Sequence, residues 1–146
     1  MQDDRYSRQQ LVPQFGSKGQ ARLADASVVI IGAGGLGCYA APLLVGAGVG
    51  SVHLVDHDVV SLTNLHRQTL YREHYIGKPK AQVAQQELAA LNASVRVLSS
   101  VERCHPGNVR ELIEGADVVP DAADNFALSY ILSDACRLDS TVLISA

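Results

Sequence analysis

The chain is poor in aromatic residues: five tyrosines, two phenylalanines and no tryptophan in 146 residues. It has one methionine and three cysteines, Cys38, Cys104 and Cys136. An odd cysteine count without a C-x-x-C pair argues against a disulfide framework and against a zinc site built from this chain. No apolar run approaches the ~20 residues that cross a bilayer. The first residues, Met1-Gln2-Asp3-Asp4-Arg5, lack the basic flank and apolar stretch of a secretory leader. Positive charge is not in excess: 12 basic residues against 15 acidic ones leave a net charge of −3. Neither nucleic acid nor membrane is therefore an expected partner, and the reducing cytoplasm is the expected compartment. What the chain has in quantity is apolar sequence, 47% of residues, too much for intrinsic disorder. Its length suits about one domain.

Short apolar runs alternate with helical stretches. Polar residues 2–10 and a helix near 15–24 read as an N-terminal arm over 1–25, followed by an α/β core over 26–146. Val28-Val29-Ile30-Ile31 reads as a strand buried on both faces, running into glycines. An apolar helix over 36–47, closed by Gly48 and Gly50, leads to a strand over 52–55 that ends at Asp56. An irregular polar segment (57–77) precedes a helix over 79–91, with Pro79 suited to its first position. Then come a strand over 95–98, a short helix over 109–114 and a fourth strand beginning at Val118-Val119. Residues 125–138 fit a helix with Phe126, Tyr130, Ile131 and Leu132 among its apolar positions, and Val142-Leu143-Ile144 is a fifth strand running to Ala146. The alternation predicts an α/β fold: a Rossmann-like, mostly parallel sheet with helices on both faces. An apolar last strand is an edge that natural folds usually cover. The chain is therefore expected to be the front part of a longer protein, cut after the fifth strand.

Gly32-Ala33-Gly34-Gly35-Leu36-Gly37 is G-x-G-x-x-G between a strand and a helix. Glycines there permit a tight turn and let phosphate oxygens approach backbone N–H groups at the helix N-terminus. An acid about 20 residues on would hold a ribose hydroxyl, and Asp56 stands 19 residues after Gly37. Taken alone, the loop reads as a nucleotide site, with NAD the usual occupant, or as tight strand–helix packing without a ligand. Gly35 supplies closeness that a plain dinucleotide loop does not require. His53 and His57 are four apart, which on a strand separates them by about 13 Å, so they cannot share a metal. Cys38 reads as a small core residue.

Five elements follow one another in order: Arg5-Tyr6-Ser7-Arg8-Gln9; the glycine loop; Asp56-x-Asp58 with Asn64-Leu65-x-Arg67-Gln68; Gly77-Lys78-Pro79-Lys80; and Asp121-x-x-Asp124-Asn125. With them the whole chain resembles the ThiF/MoeB/HesA family, relatives of the ubiquitin-activating enzymes. The resemblance implies ATP-dependent adenylation of the C-terminal Gly-Gly carboxylate of a ubiquitin-like sulfur-carrier protein, in thiamine, molybdopterin or related sulfur-transfer biosynthesis. It implies ATP, Mg²⁺ and a symmetric homodimer. Such chemistry needs a nucleotide cradle, cations for the triphosphate and a carboxylate for the metal. It needs no protein nucleophile, because the substrate carboxylate attacks the α-phosphate.

By resemblance, Gly32, Gly34, Gly35 and Gly37 form the cradle and Asp56 holds the ribose. Asn64 and Arg67 meet the phosphates, with His66 and Gln68 as pocket wall. Lys80 is the catalytic cation, Asp124 the Mg²⁺ ligand with Asp121 a weaker candidate, and Arg8 reaches the triphosphate of the partner subunit. Each has a plainer reading. Arg8 and Arg67 would be surface cations, Lys78 is solvated, and Asp56 would be a solvated strand-end acid. Asp124 suits the N-cap of the next helix. Lys80 in a first helical turn opposes the helix dipole, which a solvated face tolerates and a bound triphosphate turns to advantage. The match departs from the family's usual residues at Pro120, Ala123, Ser129 and Ser133, and the family's later half, with its tail-binding surface and frequent zinc cysteines, is not in this sequence. An NAD-dependent oxidoreductase domain and a non-catalytic nucleotide-binding scaffold remain as alternatives. The first leaves Asn64, Arg67, Lys80 and Asp124 without a shared task.

Overall fold

The computed structural model describes residues 4–145; residues 1–3 of the expected arm, and Ala146 at the expected end of the fifth strand, lie outside them. The strands are β1 (Ser27–Ile31), β2 (Ser51–Val55), β3 (Arg96–Ser100), β4 (Val118–Asp121) and β5 (Val142–Ser145). The helices are α1 (Ser7–Gln10), α2 (Gly16–Asp25), α3 (Gly37–Ala47), α4 (Lys80–Leu91), α5 (Val109–Leu112) and α6 (Phe126–Leu138). All five strands pair in parallel, in the order β3–β2–β1–β4–β5. This is the expected Rossmann-like architecture.

The alternation of strand side chains divides the core into two layers. On β1, Val28 and Ile30 join Cys38, Ala41 and Val45 of α3 and Val83, Ala84 and Leu88 of α4. Val29 and Ile31 face the other way, against Val109 and Leu112 of α5 and Leu132, Ala135 and Cys136 of α6. Helices therefore cover both faces, and the continuous apolar run of β1 is explained by its double burial. Cys38, Cys104 and Cys136 are all buried free thiols. No helix among the described residues is long and apolar enough to cross a membrane.

Local departures have physical reasons. Pro79 precedes α4 instead of opening it, so Lys80 takes the first helical position. β4 continues through Pro120, which sits opposite Ile144 of β5; the proline costs the ladder one donor but does not end the strand. Phe126 and Tyr130 lie away from the core, 85% and 73% exposed, and α6 packs instead through Leu132, Ala135 and Cys136. The N-cap of α6 is Asn125, not Asp124: Asn125 Oδ1 accepts the Leu128 N–H at 2.9 Å. Asn125→Ala is expected to lower stability by about 1 kcal/mol, read from the midpoint of a urea unfolding curve.

The arm is tied to the C-terminal end of α3. Gln9 Nε2 and Gln20 Nε2 both donate to the Ala47 carbonyl, at 2.7 and 3.1 Å, and Asn92 Nδ2 donates to Tyr6 Oη at 2.8 Å and to the Val45 carbonyl at 2.8 Å. The Ala47 carbonyl at that helix end is thus satisfied by side chains from α1 and α2, and Asn92 adds a second bond to the Val45 carbonyl, which also accepts the Gly48 N–H.

Candidate functional site

The chain winds outward from β1 to β2 and β3, then returns to place β4 on the other side of β1. Such a reversal opens a crevice beyond the C-terminal ends of the central strands. A cleft of about 740 Å³ lies there, within the usual range for a small-molecule site. It is lined by residues from the ends of β1, β2 and β4 and from the 57–68 segment, together with Lys80 and the loop after β3.

The glycine loop forms its floor, and its four glycines fall into two pairs. Gly32 has φ +101, and a Cβ there would stand 2.5 Å from the Ala122 carbonyl oxygen. A Cβ on Gly37 would stand 2.1 Å from the Gly32 carbonyl oxygen. These two are required by packing of the turn against its own backbone. Gly34 and Gly35 are not: a Cβ there would meet only Gln68 Nε2 at 3.5 Å or Arg67 Nε at 3.9 Å. Their missing side chains leave a cradle open under Arg67 and Gln68. Ala33, between Gly32 and Gly34, is held on both sides. Its N–H donates to Asp56 Oδ2 at 2.7 Å, and its carbonyl accepts Tyr71 Oη at 2.6 Å.

Asp56 is therefore not a solvated strand-end acid. It is 9% exposed, and its other oxygen, Oδ1, accepts the Asp58 N–H at 2.7 Å. Each oxygen keeps a second lone pair for a hydroxyl donor. Asn64, Arg67 and Gln68 follow on one turn of chain and all line the cleft; Arg67 is exposed and its Nη1 lies 3.4 Å from His66 Nε2. Gln68 is 3% exposed, and its buried Oε1 has no hydrogen-bond partner among the described residues. A buried acceptor left open in this way calls for a donor from a ligand or water.

For Lys80 the plainer reading fails. It is not on a solvated face: it is 5% exposed, lines the cleft, and places Nζ 3.3 Å from Asp58 Oδ2. Lys78 is exposed as expected, its ammonium 5.3 Å over the Tyr75 ring. Asp124 lies in the cleft wall and is exposed, with Oδ1 contacted by Asn125 Nδ2 at 3.5 Å. Such a carboxylate retains lone pairs for a hydrated divalent ion, so the residues fit a magnesium site. Asp121 is buried, and its Oδ1 accepts the Ala123 N–H at 3.1 Å. Asp56, His57 and Asp58 also bring ligand atoms within 4.8 Å of one another. There Arg103 Nη2 already meets His57 Nε2 at 2.9 Å and Lys80 meets Asp58, so a metal would face two cations. His53 is engaged elsewhere, with Nε2 2.8 Å from Ser100 Oγ. Arg8 is exposed on α1 and does not line this cleft.

Residues 6–146 match the ThiF family. The chain belongs to that family. It is 50% identical over 135 residues to a sulfur carrier protein adenylyltransferase of Thermus thermophilus, covering 92% of this chain and 50% of that protein. It is 45% identical over 142 residues to the mouse (Mus musculus) adenylyltransferase and sulfurtransferase MOCS3, covering 97% of this chain and 31% of that protein. Among solved structures, E. coli tRNA N6-threonylcarbamoyladenosine dehydratase TcdA in complex with ATP superposes with a TM-score of 0.90 at 29% identity, over 97% of this chain and 58% of that one. E. coli MccB with AMPCPP and MccA gives a TM-score of 0.90 at 31% identity, over 99% of this chain and 45% of that one. The ThiF-family chain thus spans half or less of the length of these curated relatives.

Tyr71, buried against the glycine loop of this ThiF-family chain, and Arg103 and Cys104, which line the cleft, had no site role in the sequence. Tyr71 is 3% exposed and clamps the glycine loop from a segment with no helical or strand period; its one signal is that an aromatic is rare in this chain. Arg103 and Cys104 arrive on the loop after β3. Burial pushes the Cys104 thiol up to about 11, and burial likewise raises the Cys38 thiol. Neither is poised as a nucleophile at neutral pH.

Proposed function

We propose that the cleft binds MgATP and that the protein adenylates the C-terminal Gly-Gly carboxylate of a ubiquitin-like sulfur-carrier protein, acting as a homodimer in the cytoplasm. The observation that carries this reading is convergence. The glycine loop, Arg67, Lys80 and Asp124 come from four separated parts of the chain and line one cleft. An NAD site would use the loop and Asp56 and leave the other three idle. Three buried, unpaired cysteines suit a reducing compartment.

In this reading the loop N–H groups and the α3 N-terminus receive the phosphates, and Asp56 accepts from the ribose. A carboxylate oxygen of the carrier attacks the α-phosphorus; the bond to the bridging oxygen breaks, pyrophosphate leaves, and an acyl-adenylate remains. Arg67 offers a planar fork of donors and Lys80 a compact ammonium to the charge that builds on the phosphates. Mg²⁺, held by Asp124, would neutralise the leaving pyrophosphate. No side chain forms a covalent intermediate, in keeping with the raised cysteine thiols. Arg8, outside its own cleft, is assigned to the triphosphate of a second copy.

Isothermal titration with MgATP and with NAD separates the two nucleotide readings. MgATP is expected to bind with one site per cleft and NAD to give no saturable heat. Saturable NAD binding without MgATP binding would sink the adenylation reading.

A further inference from the structure

Asp58 and Lys80 are 22 residues apart, yet the backbone sets them side by side. Lys80 N–H donates to the Asp58 carbonyl at 2.9 Å, Val59 and Pro79 form an antiparallel bridge, and Val60 N–H donates to the Lys78 carbonyl at 2.9 Å. The Gly77 N–H closes the short ribbon on the Val60 carbonyl at 2.9 Å. Its outcome is one ion pair at the cleft, Nζ to Oδ2 at 3.3 Å, between a lysine side chain 6% exposed and an aspartate side chain 56% exposed. The aspartate does not serve the core. Its second oxygen, Oδ1, lies 3.3 Å from His57 Nε2, itself exposed.

A carboxylate beside a triphosphate repels it. A lysine on a flexible four-carbon stem, by contrast, loses conformational freedom when it must meet one phosphate. Holding the ammonium in advance removes that cost from the binding step. We propose that Asp58 is a positioning residue for Lys80: it fixes the charged ammonium at the mouth of the glycine cradle and acts on nucleotide only through it. This rests on the ATP-site reading above.

The test is a double-mutant cycle on the full-length protein, read as MgATP affinity by calorimetry with melting temperatures alongside. Asp58→Asn, nearly isosteric, is expected to weaken MgATP about tenfold, and Asp58→Glu to restore most of the loss. In a Lys80→Met background, Asp58→Asn is expected to have no further effect. An equal loss with and without Lys80 would overturn the inference, since Asp58 would then act directly, for example on the metal ion. So would unchanged or tighter binding by Asp58→Asn, or a loss that follows a fall in melting temperature. If Lys80→Met itself binds MgATP as the parent does, the phosphate assignment of the site fails, and this inference with it.

Discussion

Lys80→Met is expected to lower carrier-dependent ATP–pyrophosphate exchange about a hundredfold, the scale of removing one preorganised donor from a developing oxyanion. The stem of Lys80 is buried, and methionine fills a similar volume. Asp58, left without its partner, has a side chain 56% exposed and finds water. No buried charge is stranded, so the fold is expected to survive and the loss to fall on the reaction. Arg67→Ala is expected to cost at least tenfold by the same argument, with less risk to packing because Arg67 is exposed. Exchange of labelled pyrophosphate into ATP, with circular dichroism as the folding control, reads both. Parent-like rates in the two variants would remove the phosphate assignment.

Substitutions in the glycine loop are expected to split into two kinds. Gly37→Ala drives a methyl to 2.1 Å from the Gly32 carbonyl oxygen, and Gly32→Ala combines φ +101 with a 2.5 Å approach to the Ala122 carbonyl oxygen. In both cases the obstacle is backbone, which cannot rotate away. A loss of about 3 kcal/mol or more, or failure to accumulate folded protein, is expected. Gly34→Ala meets only the side chain of Gln68, at an ordinary 3.5 Å. Its stability is expected to stay within about 1 kcal/mol of the parent, while its methyl occupies the cradle and weakens MgATP about tenfold. Urea unfolding together with calorimetry reads both halves. Equal destabilisation at Gly34 and Gly37 would mean that the loop is built for packing alone.

The fold was legible because its signals are local. A doubly buried strand shows as an unbroken apolar run, as in 28–31, and each crossover helix shows where such runs are interrupted. Boundaries near special residues were less so. Pro79 falls one position short of the helix, and Asn125 takes the cap assigned to Asp124, because capping depends on the backbone angles reached at the turn rather than on residue type. Phe126 and Tyr130 could not be told from core residues, since composition does not say which side of a helix finds a partner.

For the site, the glycine loop and Asp56 could be read from residues close in sequence. The roles given to Asn64, Arg67, Lys80 and Asp124 came from family resemblance. The burial of Lys80 was invisible: it follows from the bridge between Val59 and Pro79, a pairing of single residues that leaves no period in the sequence. Tyr71 was hidden for the same reason, being a buried aromatic in an irregular segment.

In the proposed ATP complex a triphosphate lies over Gly34 and Gly35 between Arg67 and Lys80. A crystal structure of the full-length protein with Mg²⁺ and a non-hydrolysable ATP analogue tests it most directly. Phosphate oxygens are expected over the two glycines within hydrogen-bond reach of both cations, with the metal on Asp124. Phosphates directed away from Gly34, or a nucleotide seated with its base where they should be, would contradict it.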